Sequence, residues 1–438
     1  MRLPNKIQIY WVGEPRTARR PKREPLVVDR HDGRTPVTPP RPVVLSVEQA
    51  LSMSYATLRF VHLGWRVIRI EPTPSPNLRT RGDPNRHIGR KVAEGDRHSY
   101  FVGPNAGKEA IALNLKEPEG QALLARLIRE LSADVFCTNT MPARHASLGI
   151  DYAALREVRP ELVWCCISAM GLAYPNVPGY DPVLQAQCGY MDITGNPDGP
   201  PMQNGPPIID LKAGDEAFAQ VLHALLERHH TGVGRAIDVS MAQVAASWLL
   251  TFLPMLDMGS PPEELKRSGN EHRQFIPTNA YPTADGFIYM AVGSDVQWQR
   301  LVAEEPFCPL ARPDLATNEG RRRDKTALHA AIAALTSKHP AADIARALRA
   351  AQIPHAPITP IERVMDQEFL QGALLGTTAP DGRAIRLPPP AVSTQFLESQ
   401  DRQLGFAPAY GEHTDSVLGE VGVSPSELSS LRERGVVA

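Results

Sequence analysis

Two aspartates, Asp181 and Asp198, stand seventeen residues apart in a stretch running from Gly179-Tyr180-Asp181-Pro182 to Asn196-Pro197-Asp198-Gly199-Pro200-Pro201. Asp198 follows a proline and precedes Gly199 and two further prolines, so the backbone around it is fixed by pyrrolidine rings and freed at one point by glycine. Such a base is a rigid pedestal for one carboxylate. Taken alone, Asn196 to Gly199 are also ordinary turn formers, and they describe no more than a surface turn.

Other common chemistries lack their signatures. The sequence has no GxxxxGK[ST], no GxGxxG after a strand, no HExxH and no GxSxG, so nucleotide hydrolysis, dinucleotide redox chemistry, zinc proteolysis and serine esterolysis have no motif to rest on. His229-His230 is the one close histidine pair, and adjacent residues on a helix face different directions, so a polar helix end describes it better than a metal site. The five cysteines (Cys137, Cys165, Cys166, Cys188 and Cys308) form no CxxC pair and read as buried thiols in a reducing compartment.

The elements that must hold the two acids follow from composition and periodicity. At 438 residues and 42% hydrophobic content the chain can bury a full core and is expected to form two domains. Its 47 basic and 48 acidic side chains leave a net charge of −1, which gives nucleic acid or an anionic membrane nothing to attract. No signal-peptide pattern is present, and the longest apolar run, around Trp248–Leu256, is too short to span a bilayer, so the cytoplasm is expected. Residues 1–42 are rich in Pro and Arg and read as an extension. Order begins at Val43. A helix over Glu48–Leu63 feeds the strand Val67–Ile70, the strand Ile111–Leu115 leads through a helix to Val135–Cys137, and Val163–Ile167 is apolar throughout, as a strand buried on both faces must be. A helix over 211–228, the strand Ala236–Val239 and a long helix over Met241–Met258 complete residues 43–258. Residues 259–345 read as a smaller domain with the strand Phe287–Val292 and three helices. Residues 346–438 begin as an extended return connection at 354–361 and end in helices near 414–420 and 425–434.

Several stretches together carry a resemblance. His62-Leu63-Gly64-Trp65-Arg66-Val67-Ile68-Arg69-Ile70-Glu71-Pro72, Gly82-Asp83-Pro84-Asn85-Arg86, Leu113-Asn114-Leu115-Lys116-Glu117-Pro118-Glu119-Gly120, Gly179-Tyr180-Asp181, Asp198-Gly199-Pro200-Pro201, Tyr281-Pro282-Thr283-Ala284-Asp285-Gly286 and Gly411-Glu412-His413-Thr414-Asp415 occur in this order. The series, from about Val43 to the C-terminus, resembles the class III coenzyme A transferases, the family of formyl-CoA and carnitine CoA-transferases that also contains the α-methylacyl-CoA racemases. The resemblance implies an α/β fold with a Rossmann-like large domain built from both chain ends, a smaller inserted α+β domain, and an interlocked dimer. It also implies a CoA thioester as substrate, a carboxylic acid as its partner, and no permanently bound cofactor.

By that resemblance Asp198 is the nucleophile of the transferase branch, with Gly199 beside it, and Asp181 occupies the place of the racemase base. The same comparison puts Ser52, Arg86, Lys108, Asn139 and the segment from Ser168 to Met170 at CoA-contacting positions. Arg144 is a candidate phosphate contact on its own account, as a fork of donors on a loop after a strand. Ser268–Gln274 stands where formyl-CoA transferases carry a glycine-rich lid, and Arg267 and Arg273, in the stretch 266–273, are candidates for an acceptor's second carboxylate. Three readings are carried forward: a CoA-transferase acting through Asp198, with a donor such as succinyl-CoA; an acyl-CoA racemase or isomerase acting through Asp181; and a structural subunit of a heteromeric transferase.

Overall fold

The computed structural model describes residues 41–74 and 81–438, so the expected N-terminal extension lies outside the described residues except at its end. In chain order come β1 (Val43–Val47), α1 (Ser52–His62), β2 (Arg66–Glu71), the small hairpin β3 (Lys91–Ala93) and β4 (Arg97–His98), α2 (Ser99–Asn105), β5 (Glu109–Ala112), α3 (Pro118–Glu130), β6 (Val135–Thr138), α4 (Tyr152–Val158), β7 (Val163–Ser168), α5 (Asp181–Gln187), α6 (Tyr190–Ile193), α7 (Ile208–Thr231) and β8 (Ala236–Ser240). The long strands form one parallel sheet of order β5-β2-β1-β6-β7-β8. Alternate residues feed two separate cores, as a period of two requires. Val163, Cys165 and Ile167 of β7 enter one with α1 and α7, while Trp164 and Cys166 enter the other with α3 and α4. Burial on both faces explains why β7 reads as an unbroken apolar run.

The strand order reverses beside β1: β2 and β5 extend the sheet one way and β6, β7 and β8 the other. Such a reversal leaves a crevice outside the carboxyl ends of the strands, where ligands of open parallel sheets bind. On one face α7 packs directly on α1, and a Cβ at Gly214 would lie 2.7 Å from the Ser52 carbonyl oxygen; only glycine permits that approach.

Beyond β8, the long helix expected over 241–258 is two short ones, α8 (Met241–Trp248) and α9 (Leu253–Asp257). Pro254 is the reason, since it supplies no N–H and its ring clashes with the preceding turn. A separate antiparallel sheet follows, β9 (Thr278–Thr283), β10 (Gly286–Ala291) and β11 (His355–Pro357) in the order β11-β10-β9. It packs with α10 (Asp295–Leu301), α11 (Asn318–Arg323), α12 (Lys325–Thr336) and α13 (Ala341–Ala350) around a core of its own containing Trp298, Phe307, Ile332 and Leu348. Strand β9 contains Pro282 and occupies an edge, where a missing N–H is tolerated. The stretch read as an extended connection thus supplies β11. After it come α14 (Glu368–Gln371), the hairpin β12 (Leu375–Thr378) and β13 (Ala384–Leu387), α15 (Gln395–Ser399), α16 (Thr414–Glu420) and α17 (Pro425–Glu433). Helices α16 and α17 cover the second face of the large sheet, and the Asn114 N–H donates to the Val436 carbonyl at 2.8 Å. Among the described residues no helix is long and apolar enough to cross a membrane.

Under the carboxyl ends of β1 and β2 lies a buried ionic network of three carboxylates, Glu48, Glu71 and Asp83, and three cations, Arg69, Arg86 and Lys108. All six side chains are fully enclosed. Lys108 Nζ meets Glu48 at 2.7 Å, Arg69 meets Asp83 at 2.8 Å, and Arg86 meets Glu71 at 2.6 Å. Phe101 of α2 has the Arg86 and Arg69 guanidinium groups 3.9 and 4.6 Å from its ring centre. Burial by itself would raise the Glu48 carboxyl, but Lys108 and Arg69 outweigh it and hold the pKa at about 2; burial brings Lys108 down to about 8 against the pull of Glu48. The network also sets where α1 begins. Glu48 is drawn inward and Ala50, at φ +55°, gives its N–H to Asp83, so the helix starts at Ser52 and not at Glu48. Removing one member leaves its partner charged and dry. Glu71→Gln is expected to lower the unfolding free energy by about 3–5 kcal/mol, as read from urea denaturation followed by circular dichroism.

Candidate active site

A cavity of about 260 Å³ opens at the carboxyl ends of the sheet. Its walls are the residues that follow four neighbouring strands: Val47–Gln49 after β1, Glu71–Pro74 after β2, Leu113–Lys116 after β5, and Thr140 with Arg144 after β6. Network residues Glu48, Glu71 and Asp83 form part of the wall, each already paired with a cation. Lys116 and Arg144 are exposed and line the cavity, and among the described residues neither forms an ion pair, so a phosphorylated ligand entering here would meet two cations.

The predicted CoA contacts divide by position. Arg144 lines this cavity. Asn139 accepts from the Gln49 N–H at 3.0 Å and donates to the Gln49 carbonyl at 2.8 Å and to Ser52 Oγ at 3.3 Å, so Asn139 and Ser52 fix the turn between β1 and α1 that forms one cavity wall. Arg86 and Lys108 lie inside the ionic network, with their donors committed to Glu71, the Pro408 carbonyl, Glu48 and the Ser54 carbonyl; they support the wall from behind. Ser168 Oγ accepts from the Gly171 N–H at 3.0 Å and shapes the turn after β7, and Met170 packs against the core. Neither lines the cavity. Sequence reasoning passed over Lys116 and Thr140, although a polar residue just past the end of a parallel strand is a usable signal for this crevice.

Asp198 is exposed on the turn Asn196-Pro197-Asp198-Gly199, closed by the Gly199 N–H donating to the Asn196 carbonyl at 3.0 Å, with proline at its favoured second position. Gly199 therefore has its N–H committed to the turn. The turn is docked on the segment 267–269: the Gly269 N–H donates to the Gly195 carbonyl at 2.9 Å. Gly195, at φ +121°, has Arg267 Cδ 3.2 Å from where a Cβ would stand, so glycine is required by both conformation and space. Arg267 in turn donates to the Asp192 carbonyl and carboxylate at 3.1 and 3.2 Å. The segment expected to act as a lid thus abuts the turn that carries Asp198. Among the described residues, the sheet-end cavity has no lining residue from this region.

Asp181 has a different setting. It is the first residue of α5, 3% exposed, with one carboxylate oxygen accepting from the Ile209 and Asp210 N–H groups at 2.7 and 3.1 Å and the other from Gln185 Nε2. It caps the start of α7 and has no free face for proton abstraction. Half-buried Asp210 sits beside it, and burial, reinforced by the Asp181 charge, raises the Asp210 carboxyl from its ordinary 3.8 to about 7. Among the described residues no three or more His, Cys, Asp or Glu side chains gather to hold a metal. Because the folded state keeps the Asp210 proton longer than the unfolded state, its contribution is fully present below about pH 4 and is lost as pH rises through 7. Asp210→Asn should flatten that part of the pH–stability curve and raise Tm relative to the unsubstituted protein near pH 8, checked by thermal melts from about pH 4 to 8.

Comparisons with known proteins bear on this geometry. The succinate–glutarate CoA-transferase of Agrobacterium fabrum is 32% identical over 387 residues, covering 86% of this chain and 94% of that protein. The acetyl-CoA:oxalate CoA-transferase of Acetobacter aceti is 32% identical over 338 residues, covering 74% and 82%. Among solved structures, a CaiB/BaiF family protein from Brucella suis superposes with a TM-score of 0.75 at 27% identity, covering 87% of this chain and 98% of that one. The family model described as CoA-transferase family III matches residues 42–414, and the chain belongs to that family.

Proposed function

We propose that this enzyme moves CoA from an acyl-CoA donor to a carboxylic acid through covalent intermediates on Asp198. The observation that carries the reading is the contrast between the two aspartates. Asp198 stands exposed on a proline-fixed turn, whereas Asp181 is buried and hydrogen-bonded on both oxygens. That contrast also weighs against the racemase reading, which requires a free base at Asp181.

In the proposed sequence the Asp198 carboxylate attacks the thioester carbonyl, the C–S bond breaks, and a mixed anhydride forms with release of CoA thiolate. The thiolate then attacks the aspartyl carbonyl carbon, the anhydride C–O bond breaks, and the donor's acid departs from an aspartyl-CoA thioester. An incoming carboxylate attacks that thioester, again expelling the thiolate, which takes the new acyl group and returns Asp198 to its carboxylate form. Every step is an acyl exchange, so no net proton, electron or resident cofactor is consumed. Lys116 and Arg144 serve the phosphates of CoA at the sheet-end cavity.

A mixed anhydride must be kept from water. Asp198 is exposed in the single chain, and we assign the covering wall to the bound thioester and a second protomer of an interlocked dimer. One chain carries both the sheet-end cavity and the aspartate turn, so two identical copies suffice and a separate active partner is not required. Relatives named for succinyl-CoA with glutarate, in human, and with mesaconate, in Haloarcula marismortui, support succinyl-CoA as donor and a dicarboxylic acid as acceptor.

Asp198→Ala is expected to reduce kcat for transfer from succinyl-CoA roughly a thousandfold or more, with CoA binding and Tm unchanged; retention of substantial turnover would refute the assignment. Lys116→Ala or Arg144→Ala should raise KM for the thioester about tenfold with little change in kcat, measured by steady-state kinetics with the acid held saturating.

A further inference from the structure

Thr140, Arg144 and Leu148, from the loop between β6 and α4, form one wall of the sheet-end cavity. A loop that carries binding residues has to be held by the scaffold behind it. His145 stands next to Arg144 and is 4% exposed. Its N–H donates to the Pro142 carbonyl at 3.0 Å, and its carbonyl accepts from the Leu148 and Ile150 N–H groups at 3.2 and 3.0 Å. Its ring Nε2 lies 2.8 Å from the Thr140 carbonyl oxygen. A carbonyl can only accept, so Nε2 carries the proton. One residue thus joins the beginning, the middle and the end of the loop.

Behind the loop the ring meets the core. It stands edge-on to Trp164 of β7, with ring centres 5.6 Å apart and planes at 77°, and the Trp164 Nε1–H donates to the Ile150 carbonyl at 2.9 Å. Thr140 is also held through its own N–H, which donates to Thr138 Oγ1 at 3.0 Å, and that hydroxyl donates to the Val47 carbonyl at the end of β1 at 3.0 Å. Burial keeps the His145 imidazole below its ordinary pKa of 6.5, against the pull of the Thr140 carbonyl and Asp151. The ring is therefore neutral near pH 7, and its single N–H is committed to Thr140. An apolar side chain of similar size would fill this place without the cost of burying a polar ring. The donor to Thr140 is what such a side chain lacks.

We propose that His145 is a positioning residue for CoA: through its hydrogen bond to the Thr140 carbonyl it fixes the loop with Thr140 and Arg144 on the cavity wall before the ligand arrives. His145 itself does not line the cavity, so it acts through its neighbours. A loop ordered beforehand spares the ligand the entropy of ordering it. Loss of the hydrogen bond therefore appears as weaker CoA binding and not as slower chemistry. The proposal rests on the reading of the sheet-end cavity as the site of CoA, and it is independent of which carboxylate reacts.

Calorimetry with free coenzyme A would compare the unsubstituted protein, His145→Leu, His145→Gln and Arg144→Ala. Leucine keeps apolar packing against Trp164 but has no donor, whereas the glutamine amide reaches about as far as the imidazole Nε2. His145→Leu should weaken coenzyme A binding about tenfold, and His145→Gln should restore it to within about threefold of the unsubstituted protein. In steady-state kinetics the leucine change should raise KM for the thioester by a similar factor and leave kcat unchanged. Full affinity in His145→Leu, an equal loss in both His145 variants, or a fall in kcat in place of the rise in KM would overturn the proposal. Hydrogen exchange of the unsubstituted protein needs no variant: the amides of residues 144–150 should be protected without coenzyme A, and protection that arises only on its addition would overturn the assignment. A loss of affinity in Arg144→Ala with none in His145→Leu would refute the positioning role and leave the cavity as the CoA site. No loss in either would refute the placement of CoA in this cavity, and this proposal with it.

Discussion

Six charged side chains enclosed together under the carboxyl ends of β1 and β2 form the constraint on which the rest of the large sheet's ligand crevice depends. Each of Glu48, Glu71, Asp83, Arg69, Arg86 and Lys108 would be costly to bury alone. Together they balance, and they tie segments far apart in sequence: the end of β1, the body of β2, the loop at Asp83, the residues between α2 and β5, and the Pro408 carbonyl near the C-terminal end. The consequence is geometric. The turn before α1 is pulled into a conformation that leaves Ala50 at positive φ, and the crevice at the strand reversal gains a wall that cannot collapse into the cavity without exposing a charge to apolar surroundings.

The second region is governed by backbone restriction and not by charge. Proline fixes the Asp198 turn from within, and the Gly195–Gly269 hydrogen bond fixes it from outside. The small antiparallel sheet, with its own core, places α11 and the start of α12 so that Arg322 and Lys325 approach the same turn. In the proposed reaction the carboxylate on this rigid turn is the part that reacts, and the sheet-end cavity is the part assigned to the carrier.

Much of this was legible in the sequence, and the parts that were not share a cause. The apolar run of β7, the helix and strand around α7 and β8, and the turn chemistry at Asp198 are local patterns, and they read correctly. The break between α8 and α9 was also local, at Pro254, and was overlooked because the apolar pattern continued through it. The role of Arg86 and Lys108 was not local: nothing in Gly82–Arg86 or Gly107–Glu109 reveals that Glu71 and Glu48 lie opposite them, because those pairings exist only once β1, β2 and β5 lie side by side. For the same reason Asp181 looked as available as Asp198 until the start of α7 was placed against it. Lys116 was in plain view at the end of a strand, but its meaning depended on the strand order, which the sequence does not state.

The central claim is that Asp198 becomes covalently acylated. The most direct measurement is to incubate the protein with succinyl-CoA in the presence of hydroxylamine and to map modified residues by peptide mass spectrometry. A hydroxamate at Asp198, and none at Asp181, is the result this account predicts. A protein that transfers CoA while leaving Asp198 unmodified, or that carries the hydroxamate at another carboxylate, would contradict it.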